Sequence, residues 1–315
     1  MIASALLPLY LKLLAGVLVG VWLGKSLPTI TADYLGQALF WVGVPISILA
    51  FLRKADLSGS VWIAPAVGWV AILSGMSIAW MWLQWQQQQT KLILPLPTQG
   101  SFLLAAMVGN TGYIGYPVSL SLTGEQYFAW AMFYDLVSTT LGAYGLGAAL
   151  ASRLGNVSWA MEGSQSQVRW LTQALLYNPA LWSFVIGYGF RSLPLPNKLE
   201  QSLTIIAWLS VALSLVLTGM RLSALTSWTH IKPATASILI KMVIVPLAIG
   251  LALSMTGLTG TPRLVIVLQA GMPPAFATLV LSEAYRLDQG LTVTAIALGA
   301  IALFITLPVW LWLFH

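Results

Sequence analysis

The sequence predicts an all-α integral membrane protein whose ten transmembrane helices form two inverted repeats of five helices. Of its 315 residues, 58% are hydrophobic and only 7% are charged, whereas a soluble domain carries about 25% charged residues. This composition excludes a water-soluble enzyme and a disordered chain. Apolar stretches of about 20 residues, long enough to cross a bilayer, recur along the chain, and a polar linker at residues 151–169 divides them into two groups of five.

Short polar or Pro/Gly-rich segments separate the apolar stretches. The predicted spans are 5–24, 34–52, 61–83, 100–121, 128–150, 170–190, 199–220, 233–255, 262–284 and 291–313. The amide-rich segment at residues 84–91 is expected to be a solvated loop. Because each half holds an odd number of spans, two repeated halves would lie in the membrane with opposite orientations. Inverted repeats are typical of secondary transporters, which hold their substrate near the midplane where the halves meet.

The charged and reactive residues exclude several functions. The 14 Lys and Arg residues exceed the 8 Asp and Glu residues, giving a net charge of +6, but they are dispersed, so no nucleic-acid partner is expected. The chain has no cysteine, and its two histidines, His230 and His315, lie in a polar linker and at the last residue. Neither a cysteine nor an HExxH metal site can be built. The sequence therefore predicts no metal, no cofactor and no catalytic constellation.

The loops differ in their content of Lys and Arg. The side that holds the central linker carries seven of these residues: Lys25, Lys91, Arg153, Arg169, Arg221, Lys232 and Arg286. The opposite side carries five: Arg53, Lys54, Arg191, Lys198 and Arg263. Because cytoplasmic loops carry the excess of positive charge, this count predicts a cytoplasmic linker and both termini outside.

Span 4 contains residues that break a helix. Three Gly, one Asn and one Pro lie within residues 109–117. Pro117 has no N–H, and its ring opposes the carbonyl of Tyr113, which is thereby freed. A freed carbonyl in hydrocarbon costs several kcal/mol, so this backbone must face protein or a water-filled cavity. Asn110 offers both a donor and an acceptor there.

Span 9 is interrupted in the same way, about 160 residues later. Pro273 and Pro274 lie within residues 269–275 and free the carbonyls of Gln269 and Ala270. Gly and Pro are also common in membrane helices that simply pack tightly. Two interrupted helices in matching positions of the two halves nevertheless predict a transport site, with positive half-helix ends facing the substrate.

Few ionisable residues lie inside the spans. Asp135 is eight residues into span 5, too deep for its short side chain to reach water. It is a candidate for proton or cation coupling or for substrate contact, and a buried salt bridge with Lys241 or Lys12 is the alternative. Lys241 lies in the middle of span 8, where it could neutralise an anionic substrate or balance Asp135. Ser138 and Gln269 could line a cavity or form interhelical hydrogen bonds.

Several segments together resemble the auxin efflux carrier family, which includes the plant PIN-FORMED auxin exporters and many bacterial members. The matching segments are Asn110-Thr111 with Gly115-Tyr116-Pro117, Met272-Pro273-Pro274 with Ser282-Glu283-Ala284-Tyr285, Val44-Pro45, Ala212 to Met220, and Phe133-Tyr134-Asp135. The chain departs from the plant exporters at Pro274, where they usually have Gln. Span 3 also lacks their acidic-basic pair, and the central linker is short. These departures argue against auxin itself as the substrate.

The resemblance implies a sodium/proton-antiporter-like, bile-acid-transporter-like fold in which broken helices 4 and 9 cross. A scaffold would consist of residues 1–56 and 170–230, and a transport domain of residues 57–150 and 231–315. The crossing would hold the substrate, and movement of one domain against the other would give alternating access. Members of the family are often dimers through the scaffold, which by analogy suggests a homodimer.

These observations predict a secondary transporter that moves a small organic anion across a bacterial inner membrane, by export or exchange. The alternatives are a sodium-coupled symporter of the bile-acid-transporter type, an intramembrane enzyme, and a sensor or scaffold that transports nothing. Asp135 is the candidate coupling residue. The candidate substrate-binding residues are Asn110, Thr111, Gly112, Tyr113, Pro117, Pro45, Asp135, Ser138, Lys241, Gln269, Met272, Pro273 and Pro274.

Overall fold

The computed structural model describes residues 2–57, 59–90, 93–155, 177–224 and 228–315, and within these ranges every regular element is a helix. In chain order the helices are α1 (Ile2–Ser26), α2 (Ile30–Lys54), α3 (Ile63–Thr90), α4 (Leu96–Met107), α5 (Tyr116–Thr123), α6 (128–154), α7 (Pro179–Phe190), α8 (Asn197–Ser223), α9 (Ile231–Met255), α10 (Gly260–Ala270), α11 (Phe276–Ala284) and α12 (Gln289–Phe314). Several residues of the sequence analysis lie outside the described residues. They are Lys91, residues 156–169 of the predicted linker, which include Arg169, and residues 170–176 of span 6.

Six of these helices are long and apolar enough to cross a membrane: α1, α2, α3, α8, α9 and α12. Helices of about 20 apolar residues are the standard solution in a bilayer, because every backbone hydrogen bond is made within the helix. The chain is therefore an all-α, multi-pass membrane protein. Span 4 consists of the short helices α4 and α5, and span 9 of α10 and α11, so both predicted interruptions are present.

Helix α3 is longer than predicted. The expected loop at residues 84–91 instead continues the helix as far as Thr90. Glutamine is a good helix former, and this segment contains no Gly or Pro that would end a helix. Polarity alone therefore marked the end of the apolar span and not the end of the helix.

Three wide π turns each end two residues before a proline. The turns are Leu39–Gly43, Thr111–Gly115 and Ile240–Ile244, and Pro45, Pro117 and Pro246 each stand second in the helical segment that follows. A proline removes one backbone hydrogen bond, and a local π turn re-satisfies the neighbouring groups. Pro45, predicted to bind substrate, thus shapes the backbone of α2.

Helices α1 and α8 approach each other at glycines. A Cβ on Gly20 would lie 2.8 Å from the Cα of Gly219 and would overlap the carbonyl oxygen of Val216. Small residues permit this close contact between membrane helices, where van der Waals packing replaces the hydrophobic effect. Helix α8 also packs against α2, which packs on α7. Helix α4 packs among α3, α6, α9 and α12 on the other side of the molecule.

Candidate functional site

The two helix breaks touch each other through their backbones. The N–H of Asn110 donates to the carbonyl of Pro273 at 2.7 Å, and the N–H of Ala275 donates to the carbonyl of Val108 at 3.0 Å. Gly109 and Pro274 thereby form an isolated antiparallel bridge. Each break satisfies polar backbone groups of the other, which is the condition for irregular backbone at membrane depth.

Two of the three freed carbonyls find partners on other helices, while that of Gln269 accepts from the N–H of Met272 in its own span at 3.3 Å. The carbonyl oxygen of Tyr113, opposite Pro117, accepts a hydrogen bond from the Ser214 hydroxyl of α8 at 3.0 Å. The carbonyl oxygen of Ala270, at the end of α10, accepts one from the Lys241 ammonium of α9. The sequence indicated which carbonyls are freed, and the structure identifies the side chains that bind two of them.

A cavity of about 520 Å³ lies beside the crossing. It extends from Asn110 and Thr111, which are buried, to Asp33 and Gln37, which are exposed near the start of α2. Its polar lining consists of Asp33, Gln37, Asn110, Thr111, Tyr113, Tyr116, Asp135, Thr139, Thr140, Tyr144, Asn178 and Arg221. Because α2 begins and α8 ends at this mouth, the cavity opens on the side where the central linker attaches.

Asn110 lies at the inner end of the cavity with a free donor. Its side chain is 4% exposed, and its Oδ1 accepts a hydrogen bond from the backbone N–H of Tyr113 at 3.2 Å. Its Nδ2 has no hydrogen-bond partner among the described residues. A buried donor without a partner costs about 1–3 kcal/mol, so this amide is available to a ligand.

Asp135 is held by hydroxyl groups and not by a cation. Its carboxylate accepts hydrogen bonds from the Thr111 hydroxyl and, at 2.8 Å, from the Tyr116 hydroxyl. Neither alternative salt bridge, to Lys241 or to Lys12, is present in the described part of the chain. Two hydroxyl donors from the second half of span 4 therefore stabilise the carboxylate of Asp135. Its side chain is partly buried and lines the cavity.

Ser138 and Gln269 connect helices and do not line this cavity. The Ser138 hydroxyl donates to the carbonyl of Pro65 on α3 at 2.8 Å. The Gln269 Nε2 donates to the Ser119 hydroxyl on α5 at 3.1 Å, and a Cβ on Gly115 would overlap the Gln269 side chain. For both residues the structure therefore has the interhelical hydrogen bond that the sequence left open as an alternative.

The structure divides the candidate substrate-binding residues into groups. Asn110, Thr111, Gly112, Tyr113 and Asp135 line the large cavity. Pro117 lines a smaller neighbouring cavity between α2, α5 and α8. The remaining candidates, namely Pro45, Ser138, Lys241, Gln269, Met272, Pro273 and Pro274, lie outside the lining of both. Among these, Pro273 and Pro274 build the crossing itself.

Arg221 is a lining residue that the sequence interpretation missed. It was assigned to a loop, but α8 continues to Ser223 and places Arg221 in its last turn. Its guanidinium carbon lies 5.2 Å from the centre of the Phe276 ring. Among the described residues that line the cavity, it is the only cation. Its position directly after the Gly219-Met220 pair, part of a segment already noted, was the available signal.

A helix end adds positive character at the inner end of the cavity, where the carboxylate of Asp135 also lies. Helix α11 begins there, since Ala275, Phe276 and Ala277 line the cavity, and no side chain caps its first N–H groups. A helix N-terminus carries about half a positive charge. Asn110, with its unpartnered buried amide, lines the same cavity, so the site combines fixed donors with a guanidinium near the mouth.

The opposite side of the crossing is closed by polar contacts. Glu125, between α5 and α6, forms a 3.0 Å salt bridge with Lys54 of α2 and accepts a 2.9 Å hydrogen bond from the Trp208 indole of α8. Next to it, the N–H of Asp56 donates to the carbonyl of Gln126 at 3.0 Å. In the described part of the chain, these contacts join α2 and α8 to the segment between α5 and α6 on that side.

Comparison with known proteins gives two kinds of match. Residues 1–311 match the family described as "Membrane transport protein". The chain is 30% identical over 287 residues to an uncharacterized transporter of Methanothermobacter thermautotrophicus, a match that covers 89% of this chain and 88% of the relative. It is 24% identical over 218 residues to an uncharacterized transporter of Methanocaldococcus jannaschii, covering 68% of each chain.

Proposed function

Because this chain belongs to the auxin efflux carrier family of membrane transport proteins, we propose that it is a secondary transporter that exports a small organic anion by alternating access. Membership in a transport family agrees with the expectation that the chain is a transporter and not an enzyme. The proposal adds the ten-span topology, the inverted repeats and the class of substrate.

The unpartnered Nδ2 of Asn110 is the observation that carries the proposal. It is buried at the inner end of the cavity, and the N-terminus of α11 faces the same space. Fixed donors at the inner end of such a cavity favour a carboxylate over a neutral or cationic ligand. Arg221 supplies the compensating charge along the path to the mouth, where a cation attracts anions by electrostatic steering.

The proposed mechanism moves one unit of the chain against another. In it, residues 1–56 and 170–230 form the scaffold, and residues 57–150 and 231–315 form the transport domain. The Glu125 contacts to Lys54 and Trp208 join these two units on the side opposite the cavity mouth. In a second state, the mouth would be closed and the Glu125 contacts would be broken. Exchange between the two states would carry the anion across the membrane.

The proposed direction of transport and the proposed orientation in the membrane follow from the number of Lys and Arg residues in the loops on each side. In the proposed orientation the linker is cytoplasmic, both termini are outside, and the membrane is a bacterial inner membrane. The cavity then opens to the cytoplasm, which suits an exporter that loads its substrate there. Asp135 is the proposed proton carrier, because it is the carboxylate closest to the crossing and half-faces the cavity. A homodimer through the scaffold helices remains a prediction.

A thermal-unfolding screen of the purified protein tests the substrate class. The probes are indole-3-acetate, malate and malonate, each paired with its uncharged amide as a matched control. Binding at a concentration 100 times the Kd stabilises by about 2.7 kcal/mol, which raises the Tm by several degrees. We expect at least one acid to raise the Tm while its amide does not. Equal shifts for acid and amide would contradict an anion site.

Transport of the acid so identified is then measured in proteoliposomes. We expect counterflow of the labelled acid that is saturable and independent of the salt used. Complete dependence on a sodium gradient would instead favour the bile-acid-transporter type of symport. Binding without any flux would favour a sensor that transports nothing.

A further inference from the structure

Lys241 is a buried lysine that does not line the cavity. It belongs to the π turn Ile240–Ile244 in the middle of α9, and the residue is 4% exposed. Its ammonium donates to the carbonyl oxygen of Ala270, the last residue of α10. In the described part of the chain no carboxylate forms a salt bridge with it.

The first helix break lies directly against the same side chain. A Cβ on Gly109 would lie 3.0 Å from both the Nζ and the Cε of Lys241. Gly109 follows the end of α4 at Met107 by two residues. The ammonium is therefore placed between the backbone just beyond the end of α4 and the end of α10; Gly109 lines the cavity, whereas Lys241 itself does not.

The ends of two half-helices make this position attractive for a cation. A helix C-terminus carries about half a negative charge on its free carbonyl groups, and Pro274 leaves the Ala270 carbonyl without its helical partner. In carriers with broken helices, such half-helix C-termini and unwound carbonyls are where the coupling cation binds. Here an ammonium on a fixed side chain binds to one of these carbonyls.

We propose that the Lys241 ammonium is a built-in cation that occupies the half-helix C-terminal site and makes this carrier independent of sodium. The inference rests on the proposed transport function, but it concerns ion binding and can be tested without a substrate. It also assigns Lys241 to the ends of the broken helices and leaves the anion to be neutralised by Arg221 and hydrogen-bonded by Asn110.

Thermal unfolding of the full-length protein in NaCl and in choline chloride at equal ionic strength tests the proposal. The wild type should have the same Tm in both salts. Lys241→Ala removes the ammonium and opens space beside the Ala270 carbonyl, so NaCl should raise its Tm by several degrees in a saturable way. Lys241→Met removes the charge but fills the space, so its lower Tm should not respond to sodium.

Lys12→Ala is the matched control, because Lys12 is an exposed lysine of a membrane helix and its removal changes the net charge equally. It should behave as the wild type does in both salts. A saturable, sodium-specific rise in the Tm of the wild type would overturn the proposal, whatever the variants do. A folded Lys241→Ala protein with the same Tm in both salts would overturn it as well.

The result of the sodium test on Lys241 can be distinguished from the result of the transport experiment. Sodium-independent unfolding of the wild type together with a sodium response of Lys241→Ala supports the built-in cation even if none of the tested acids is transported. Recovery of a folded Lys241→Ala protein only from sodium-containing buffer also supports it. Transport by the wild type that requires sodium overturns it while leaving the carrier function intact.

Discussion

The backbone N–H of Asn110 donates a 2.7 Å hydrogen bond to the carbonyl of Pro273, and this bond joins the two broken spans at one point. The Oδ1 of the same asparagine is held by the N–H of Tyr113. Asn110 is thus fixed through both its backbone and its side chain, and its buried Nδ2 is left without a partner among the described residues. Such prior positioning reduces the entropy that a ligand must lose on binding.

Arg221→Gln should weaken binding of the anion. The substitution removes the only cation among the described lining residues, and a hydrogen bond to a charged group contributes about 1.5–3 kcal/mol. We expect the Kd of the acid found in the screen to rise about 10- to 100-fold. The matched control is Arg153→Gln, an exposed arginine in the last turn of α6, which should leave the Kd within about twofold. Equal effects of both substitutions would show that only the overall charge matters.

Asp135→Asn should remove the pH dependence of transport. An asparagine keeps an oxygen that can accept from Thr111 or Tyr116 but carries no proton between states. We expect wild-type flux to vary across roughly pH 5–8 and the variant's flux to be flat there. Asp33→Asn, at the exposed mouth, should keep the wild-type profile. An unchanged profile in Asp135→Asn would make the carboxylate a structural residue.

Glu125→Gln should shift the conformational equilibrium towards the state with the opposite side open. It weakens the contacts to Lys54 and Trp208, and a loss of about 1 kcal/mol raises the minor state about fivefold. The chain has no cysteine, so Ser210→Cys, in the small closed cavity, can report access. Its labelling by an impermeant maleimide should be about five times faster in the Glu125→Gln background.

The control for this labelling experiment is Glu200→Gln. Glu200 lies in the first turn of α8, on the same side as Glu125, and it forms no salt bridge in the described part of the chain. It should leave the labelling rate unchanged. Slower labelling of Ser210→Cys after Glu125→Gln would mean that the salt bridge does not hold this side closed.

Gly219→Ala should destabilise the packing of α1 on α8. The new methyl group would overlap the carbonyl oxygen of Val17 and lie 2.9 Å from the Cα of Gly20. Overpacking of this kind costs about 1–3 kcal/mol, so the Tm should fall by several degrees. Gly189→Ala, on α7, meets no atom within 4 Å and should not lower the Tm. Equal Tm values for the two variants would contradict the close helix contact.

The helix breaks were predictable because their cause is local. Pro117, Pro273 and Pro274 remove hydrogen bonds from residues four positions earlier, and the sequence contains both members of each relationship. The groups that replace those bonds, Ser214 and Lys241, come from other helices. No sequence spacing indicates which of several buried hydroxyl or amino groups will meet a given carbonyl.

The partners and positions of the charged residues were harder to predict from the sequence. The alternative role considered for Asp135, a buried salt bridge with Lys241 or Lys12, rests on the rarity of membrane charges, but Thr111 and Tyr116 provide two neutral donors instead. Arg221 was missed because a basic residue at the end of a span usually reaches the headgroups. Its position in the cavity depends on α8 continuing to Ser223 and on the nearby ring of Phe276.

The most direct test of the carrier at the crossing is uptake of the identified acid by proteoliposomes containing wild type, Asn110→Ala or Ser138→Ala. Asn110 lines the cavity and its Nδ2 has no hydrogen-bond partner among the described residues, whereas Ser138 is buried and bonded to Pro65. We predict that Asn110→Ala purifies in normal yield and loses nearly all uptake, while Ser138→Ala keeps uptake at a lowered Tm. Wild-type uptake by Asn110→Ala would contradict the account.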